Sequence, residues 1–517
     1  MTQRLVRSAF VLVVVTTVLL SFSLGPPQQL SATTTEWQSF GTDPFDRTGL
    51  LEHNSSVPAV DSRVDVAITT ASESGVLKSI SNGGSPLGTF QLHRIVQHND
   101  KRVVYGSIPM DSIRSFMRAT NASTVQIRNG PRRTSGRQAA GIERVNATAV
   151  HEHSITGENV TVGVIDSGFR PSHPEIAGKV STYARFGQPT DAEHGTAVAS
   201  VVTDTAPNAS LALAAIGEET TPTEYQRAVR WLNQSGVDII IDAGSYYSQP
   251  ANGSGAIDQI VHSTADDLLF VTSVGNHRLR YWNGTHTTGK WVQIANDTQV
   301  NPLNDGRSFS GSVSLTLRWN RSAPEYDLSL YRRQPGTDAM VAETTGSDND
   351  SVAHLQTTVP HGTYYVSIEQ TTPMANATTP TELELFATRR LGYRSPSRPA
   401  SPATVETVLS VGSYTDESIP DHSVSNPSLV APSSVAVDGL SVTGGTSFAA
   451  PYVAGVGALV MAADSSIEPA TVRTRLLESA DDVGTQSNDP RSGMGLLNAT
   501  RAVGCSTATD ELSCPSE

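Results

Sequence analysis

Four short segments of the 517-residue chain carry side chains suited to acyl transfer. Asp166 ends the apolar run in Val164-Ile165-Asp166-Ser167-Gly168. His194 lies in Glu193-His194-Gly195-Thr196, and Asn276 closes Ser273-Val274-Gly275-Asn276. Ser447 lies in Gly444-Gly445-Thr446-Ser447-Phe448-Ala449-Ala450-Pro451. A serine hydroxyl is a weak nucleophile and needs a base within hydrogen-bond reach. His194 would be that base. Its second ring nitrogen must be fixed, which Asp166 can do while stabilising the imidazolium. The Asn276 amide and the Ser447 backbone N–H would then face the tetrahedral oxyanion. Singly, each residue has a plainer reading, such as a turn cap for Asp166 or an N-cap for Ser447. Four such segments in one chain, each at the end of a suitable element, favour the chemical reading.

The elements that must position them follow from periodicity. Val160 to Asp166 is rich in β-branched residues and predicts a buried strand, as do Leu211–Ala214, Val237–Asp242 and Leu268–Thr272. Thr223–Gln234 and Gly255–Ala265 have helical spacing. Strands alternating with helices predict a parallel sheet covered by helices, with sites at the strand ends. Between 283 and 400 the pattern changes to strict alternation, as in Val313, Leu315, Leu317 and Trp319, which predicts an inserted β-sandwich. The α/β pattern resumes over 401–503, with Thr407–Val411 and helices near 447–463 and 468–479. Pro451 is expected in the first helical turn, where no N–H bond is lost. Residues 63–128 carry a small α+β pattern: Val64, Val66 and Ile68 alternate, and Met110–Ala119 has helical spacing. A polar spacer (33–62) precedes this unit, and an exposed Arg-rich linker (129–140) follows it.

The order Asp, His, Asn, Ser in these motifs resembles the subtilisin-like serine proteases (subtilases). Thr156-Gly157-Glu158-Asn159-Val160, Ala206-Pro207-Asn208 and Gly493-Met494-Gly495-Leu496-Leu497-Asn498 look similar too. The resemblance covers about 141–276 and 401–503. It implies an α/β fold with a mainly parallel seven-stranded sheet covered by helices. It also implies a secreted endopeptidase acting on protein or peptide substrates, with Asp166, His194 and Ser447 as triad and Asn276 as oxyanion residue. Ala243, Gly244 and Ser245 would pair with the substrate backbone, and residues near Gly217 would form the opposite edge. The unit at 63–128 would be a propeptide that inhibits the enzyme until the linker is cut. No cofactor is implied for the chemistry. Relatives often carry structural calcium, for which no ligand set stands out here. Three features depart from the family pattern: Ala197 stands where a second His is usual, the segment at Asp242 lacks the usual Ser-Leu-Gly wording, and His277, Arg278 and Arg280 follow the oxyanion Asn. Those last three are expected to put positive charge by the site and to favour acidic or otherwise unusual substrates.

The formal charge of −14 speaks against a nucleic-acid partner. Only four of the 36 basic residues are Lys, as high salt or a GC-rich genome would give. Arg4, Arg7 and the apolar stretch Ser8–Leu24 predict an export signal over 1–32, or an uncleaved anchor. No later segment is expected to span a membrane. Thirteen Asn-X-Ser/Thr sequons, Asn498 among them, support export and some glycosylation. Cys505 and Cys514 could close a loop in the tail 504–517. A monomer is expected. The alternative to a peptidase is a catalytically silent or narrowly specific surface protein that binds protein or glycan.

Overall fold

The computed structural model describes residues 63–71, 91–98, 101–109, 124–128 and 136–515, except 251, 320–324, 347–350, 372–379, 416, 443, 485–488 and 508–511. The chain divides into two units, residues 1–132 and 133–517. In the first, β1 (Arg63–Ala71), β2 (Gln91–His98), β3 (Lys101–Pro109) and β4 (Thr124–Arg128) form an antiparallel sheet in the order β2-β3-β1-β4. Strand β2 was not foreseen, and the helix expected over Met110–Ala119 lies outside the described residues.

The second unit holds a seven-stranded sheet, parallel throughout. Its strands are β5 (Thr161–Asp166), β6 (Val180–Arg185), β7 (Ser210–Ala215), β8 (Ile239–Asp242), β9 (Leu269–Ser273), β18 (Leu409–Tyr414) and β19 (Leu429–Pro432), and their order is β19-β18-β9-β8-β5-β7-β6. Both faces are covered over the central strands, so β5, β8 and β9 read as largely apolar runs, whereas the edge strand β6 is partly exposed. Val162, Val164, Ile239 and Ile241 face one core with the helices Ala192–Thr205 and Thr446–Ala463. Ile165, Ile240 and Phe270 face the other, with the helices Pro222–Gln234 and Ala256–Ala265. After β5 the chain runs towards β6, and after β8 it runs the opposite way, so the loops diverge above the paired ends Ile165 and Asp242. Such a divergence opens a crevice at the carboxyl ends of strands.

The helix Thr446–Ala463 is apolar on every side because it is buried on nearly every side, from Thr446 to Val460 apart from Ser447. By length and composition alone it could cross a membrane, but 83% of it lies inside the fold. Pro451 sits beyond the first turn, because the helix already begins at Thr446. Its missing N–H leaves the Ser447 carbonyl without an i+4 donor.

The insertion is a sandwich of two antiparallel sheets. One contains β10 (Tyr281–His286), β17 (Thr381–Ala387), β12 (Phe309–Trp319) and β15 (Val352–Gly362). The other contains β11 (Val300–Pro302), β16 (Tyr364–Gln370), β13 (Tyr326–Arg332) and β14 (Ala339–Thr345). Leu315, Leu317, Leu328, Leu330, Val366 and Ile368 fill the space between them. Strand β10 begins before the expected boundary at 283. The expected linker ends early as well, since a helix spans Gly136–Arg144. Cys505 and Cys514 are bonded to each other.

Candidate active site

Asp191 starts the helix that carries His194. Its carboxylate accepts hydrogen bonds from the backbone N–H of Glu193 (2.8 Å) and of His194 (3.2 Å). This satisfies two first-turn donors and fixes where the imidazole leaves the helix. The helix lies so close to the loop after β5 that Gly195 is obligatory: a Cβ there would stand 2.2 Å from the Gly168 carbonyl oxygen. The close approach sets His194 Nδ1 2.9 Å from both carboxylate oxygens of Asp166. Asp166 is 6% exposed, and its Oδ1 also accepts from the Ser167 N–H (2.7 Å) and Oγ (3.0 Å). The nearby cation Arg170 pairs instead with Glu193 (2.8 Å). Burial disfavours the charged imidazole, but the Asp166 charge and hydrogen bond, aided by Asp191 and Glu218, hold the His194 pKa above its ordinary value.

Ser447 occupies the second position of its helix, and the Phe448 ring beside it packs on the His194 ring at 5.1 Å. Among the described contacts Ser447 Oγ makes no hydrogen bond to His194. Such nucleophile–base bonds are often loose before substrate binds. Asn276 faces the same helix end. Its Oδ1 accepts from the Thr446 N–H (3.0 Å) and Oγ (3.2 Å), while Thr446 Oγ accepts from the Gly275 N–H (3.3 Å). A backbone donor fixes which end of the amide is oxygen, so Asn276 Nδ2 is the end left to donate elsewhere. Gly275 needs its φ of +107° for this turn, a conformation that side chains disfavour. With Thr446 N–H occupied, the next donor in the turn is that of Ser447, which has no intrahelical acceptor. A cleft of about 280 Å³ opens beside His194, lined by Asp166 and His194, by Ala243, Gly244 and Ser245 on one side, and by Ile216, Gly217 and Glu218 on the other. Ser447 and Asn276 are not part of that lining. Phe448, next to Ser447 in the chain, reaches the cleft wall through its contact with the His194 ring.

The subtilase family model matches residues 157–369 and 390–495, more than half of the chain. This chain belongs to the subtilase family. Subtilisin E of Bacillus subtilis (strain 168) is 28% identical over 195 residues, which are 34% of this chain and 49% of that protein. A subtilisin of Bacillus pumilus is 27% identical over 195 residues, 34% of this chain and 68% of its own length. The chain thus spans about half the length of subtilisin E. Among solved structures, the CspB protease of Clostridium perfringens matches at 18% identity with a TM-score of 0.49, covering 70% of this chain and 98% of that one.

This subtilase differs from the sequence expectation in the charge at its site. His277 is 2% exposed, its Nε2 faces the Arg398 carbonyl at 2.9 Å, and burial pushes its pKa down to about 4, so it is neutral. Arg278 pairs with Asp421 (2.9 Å), and Arg280, whose charge acts on His277 and Tyr247, is not part of the cleft lining. The cleft walls carry carboxylates instead: Asp166, Asp191, Glu218 and Asp242. Asp242 was read as the first residue of the segment that pairs with the substrate backbone. It is fully buried and accepts from the Tyr225 hydroxyl (2.7 Å), the Gly244 N–H (2.8 Å) and the Tyr246 hydroxyl (3.3 Å). Burial pushes its pKa up to about 6 against those three bonds. Sequence reasoning passed over Asp191 and Glu218 too. The N-cap of Asp191 was legible from an acidic residue just before a helical run, and Glu218 follows Gly217, the edge already singled out. Among the described residues no group of three or more His, Cys, Asp or Glu is placed to hold a metal ion. Subtilases need no cofactor for catalysis.

Proposed function

We propose that this chain is a secreted serine endopeptidase that matures by cutting itself. The observation that carries the reading is the His194 Nδ1–Asp166 contact at a cleft whose far edge is Ala243–Ser245. In the proposed reaction Ser447 Oγ attacks the scissile carbonyl carbon and His194 Nε2 takes its proton. Nδ1–H stays on Asp166, which stabilises the imidazolium. Asn276 Nδ2 and the Ser447 N–H donate to the oxyanion. When the C–N bond breaks, His194 returns the proton to the leaving amine. Water then repeats the sequence on the acyl-enzyme and frees the acid and Ser447. Asp166, His194, Ser447 and Asn276 are the catalytic residues of this proposal, and Ala243, Gly244 and Ser245 bind the substrate backbone.

The segments that support export and maturation, Ser8–Leu24 and Arg128–Arg133, lie wholly or partly outside the described residues. The sheet β1–β4 would belong to a propeptide, and the protease would act as a monomer. Some exposed sequons, such as Asn159 and Asn233, would carry glycan. Asn498 would not: it is 6% exposed and its amide is spent on Asp481 and the Arg501 N–H. Structural calcium has no fitting cluster of acidic ligands among the described residues, and no step depends on it.

Residues 33–517 as wild type and as Ser447→Ala test the reading. Wild type is expected to shorten to a start near 130–150 and to digest casein. The variant is expected to stay full length and to lose about 10⁴-fold or more in kcat. A wild type that folds, stays full length and resists a fluorophosphonate at Ser447 would favour a silent binding protein.

A further inference from the structure

The inserted sandwich meets the site at two arms. One is the segment Ala243–Tyr247 that follows β8, and the other is the turn Gly275-Asn276-His277. A single aromatic cluster stands between them. The Tyr247 ring stacks on Phe386 of β17 at 4.7 Å and 26°. The His277 ring meets Tyr247 edge-on at 5.2 Å and Phe386 at 5.1 Å. Arg318 of β12, 4% exposed, lies over Phe386 at 4.8 Å. Its Nε pairs with Glu384 (2.6 Å), which also accepts from the Tyr281 hydroxyl. Its Nη1 donates to the Tyr247 carbonyl (3.2 Å), and its Nη2 has no partner among the described residues.

A buried guanidinium is a poor device for stability alone. Desolvating it is costly, and an apolar side chain of similar volume often serves the fold as well. What an apolar side chain cannot do is hold a carbonyl. The segment needs holding at its far end: the Gly244 N–H is tied to Asp242 (2.8 Å) and the Ala243 and Gly244 carbonyls to the Ser273 hydroxyl (3.3 and 3.1 Å), but past Ser245 the one backbone tie to another element among the described residues runs from the Tyr246 N–H to the Ser401 carbonyl (2.9 Å). We propose that Arg318 is a positioning residue: from the sandwich it fixes the Tyr247 carbonyl and, with Phe386, holds Ala243–Tyr247 in the register in which substrate pairs with it. The inserted domain is then a structural part of the substrate-binding edge. This inference rests on the peptidase reading, and its test separates the two.

The full chain is compared as wild type, Arg318→Met, Phe386→Leu and Arg389→Ala. Phe386→Leu keeps the ion pair and removes only the ring plate. Arg389 bonds the Ser310 and Ser312 carbonyls elsewhere on the sandwich and serves as control. The readouts are KM and kcat on a chromogenic peptide and amide hydrogen exchange over 243–249. Arg318→Met and Phe386→Leu are expected to raise KM about tenfold with kcat within about threefold, the pattern of lost binding rather than lost chemistry. Exchange over 243–249 should quicken while β12 and β17 stay as protected as in wild type, and Arg389→Ala should match wild type throughout. An unchanged KM in variants with protected β12 and β17 overturns the proposal, whether or not exchange quickens. Should Arg318→Met lose protection across the whole sandwich, Phe386→Leu decides alone. A wild type that hydrolyses nothing refutes the peptidase reading, and the exchange at 243–249 then decides the clamp by itself.

Discussion

Protonation governs what His194 can do. As a base it must be neutral, and its contact with Asp166 raises its pKa, so kcat/KM should fall as pH drops below a midpoint above 6.5. Asp166→Asn removes the main support of the imidazolium. It should move that midpoint down and cost about 10⁴-fold in kcat, as a pH–rate profile of both proteins would show. Asp242 poses the opposite case. Its pKa is raised to about 6 from the ordinary carboxylate value of 3.8, so the folded state binds its proton more tightly than the unfolded chain does. Stability from this group is present at low pH and is lost as pH rises from about 4 to 6, by at most about 3 kcal/mol. Asp242→Asn should flatten that limb in melting curves taken across the window, and a wild type already flat there would refute the assignment. Asp166 and His194 were legible in the sequence because their motifs are local. The neutrality of His277 and the burial of Asp242 were not, since both depend on being packed in by residues elsewhere in the chain: Tyr247 and Phe386 around His277, and Tyr225 beside Asp242.

Packing between elements is tight where the helix Ala192–Thr205 crosses the end of β5. A methyl group at Gly195 would meet the Gly168 carbonyl at 2.2 Å and the Asp166 Cβ at 2.8 Å. Gly195→Ala should therefore cost about 1–3 kcal/mol and spread His194 from Asp166. Calorimetry together with the pH profile checks both effects: a full-strength His194 midpoint in a destabilised protein would show that the two are not linked. The α/β alternation, the sandwich and the four motif-bearing element ends were readable from periodicity, because a strand buried on both faces and a half-buried strand leave different patterns. The place of Pro451 was not, since it depended on where the helix begins. Nor was the helix Gly136–Arg144, whose Arg and Gly residues resemble a linker.

At the scale of the whole molecule, net negative charge and the carboxylates of the cleft act in one direction. Peptides that carry Arg in place of Glu should be preferred. Glu218, exposed on the cleft wall, should account for about two- to fivefold of that preference. Glu218→Gln assayed on matched peptides measures it, and a ratio that ignores added salt would show that the preference is not electrostatic. In the proposed self-maturation, the Arg-rich stretch at 128–137 would be a substrate of that kind within the same chain. The position of the sandwich has a consequence of another sort. Strands β9 and β18 pair side by side, Val271 opposite Leu409, yet the entire insertion lies between them in sequence. Its entry and exit are tied together by His277 to the Arg398 carbonyl (2.9 Å) and by the Leu391 N–H to the Leu279 carbonyl (3.1 Å). A sandwich that folds first shortens the loop the central sheet must close and saves about 1–2 kcal/mol of chain entropy. The last two strands of the sheet leave the ribosome only after the sandwich. Five strands of the sheet precede the sandwich in the chain, so its folding bears on the closing of β18 and β19 alone.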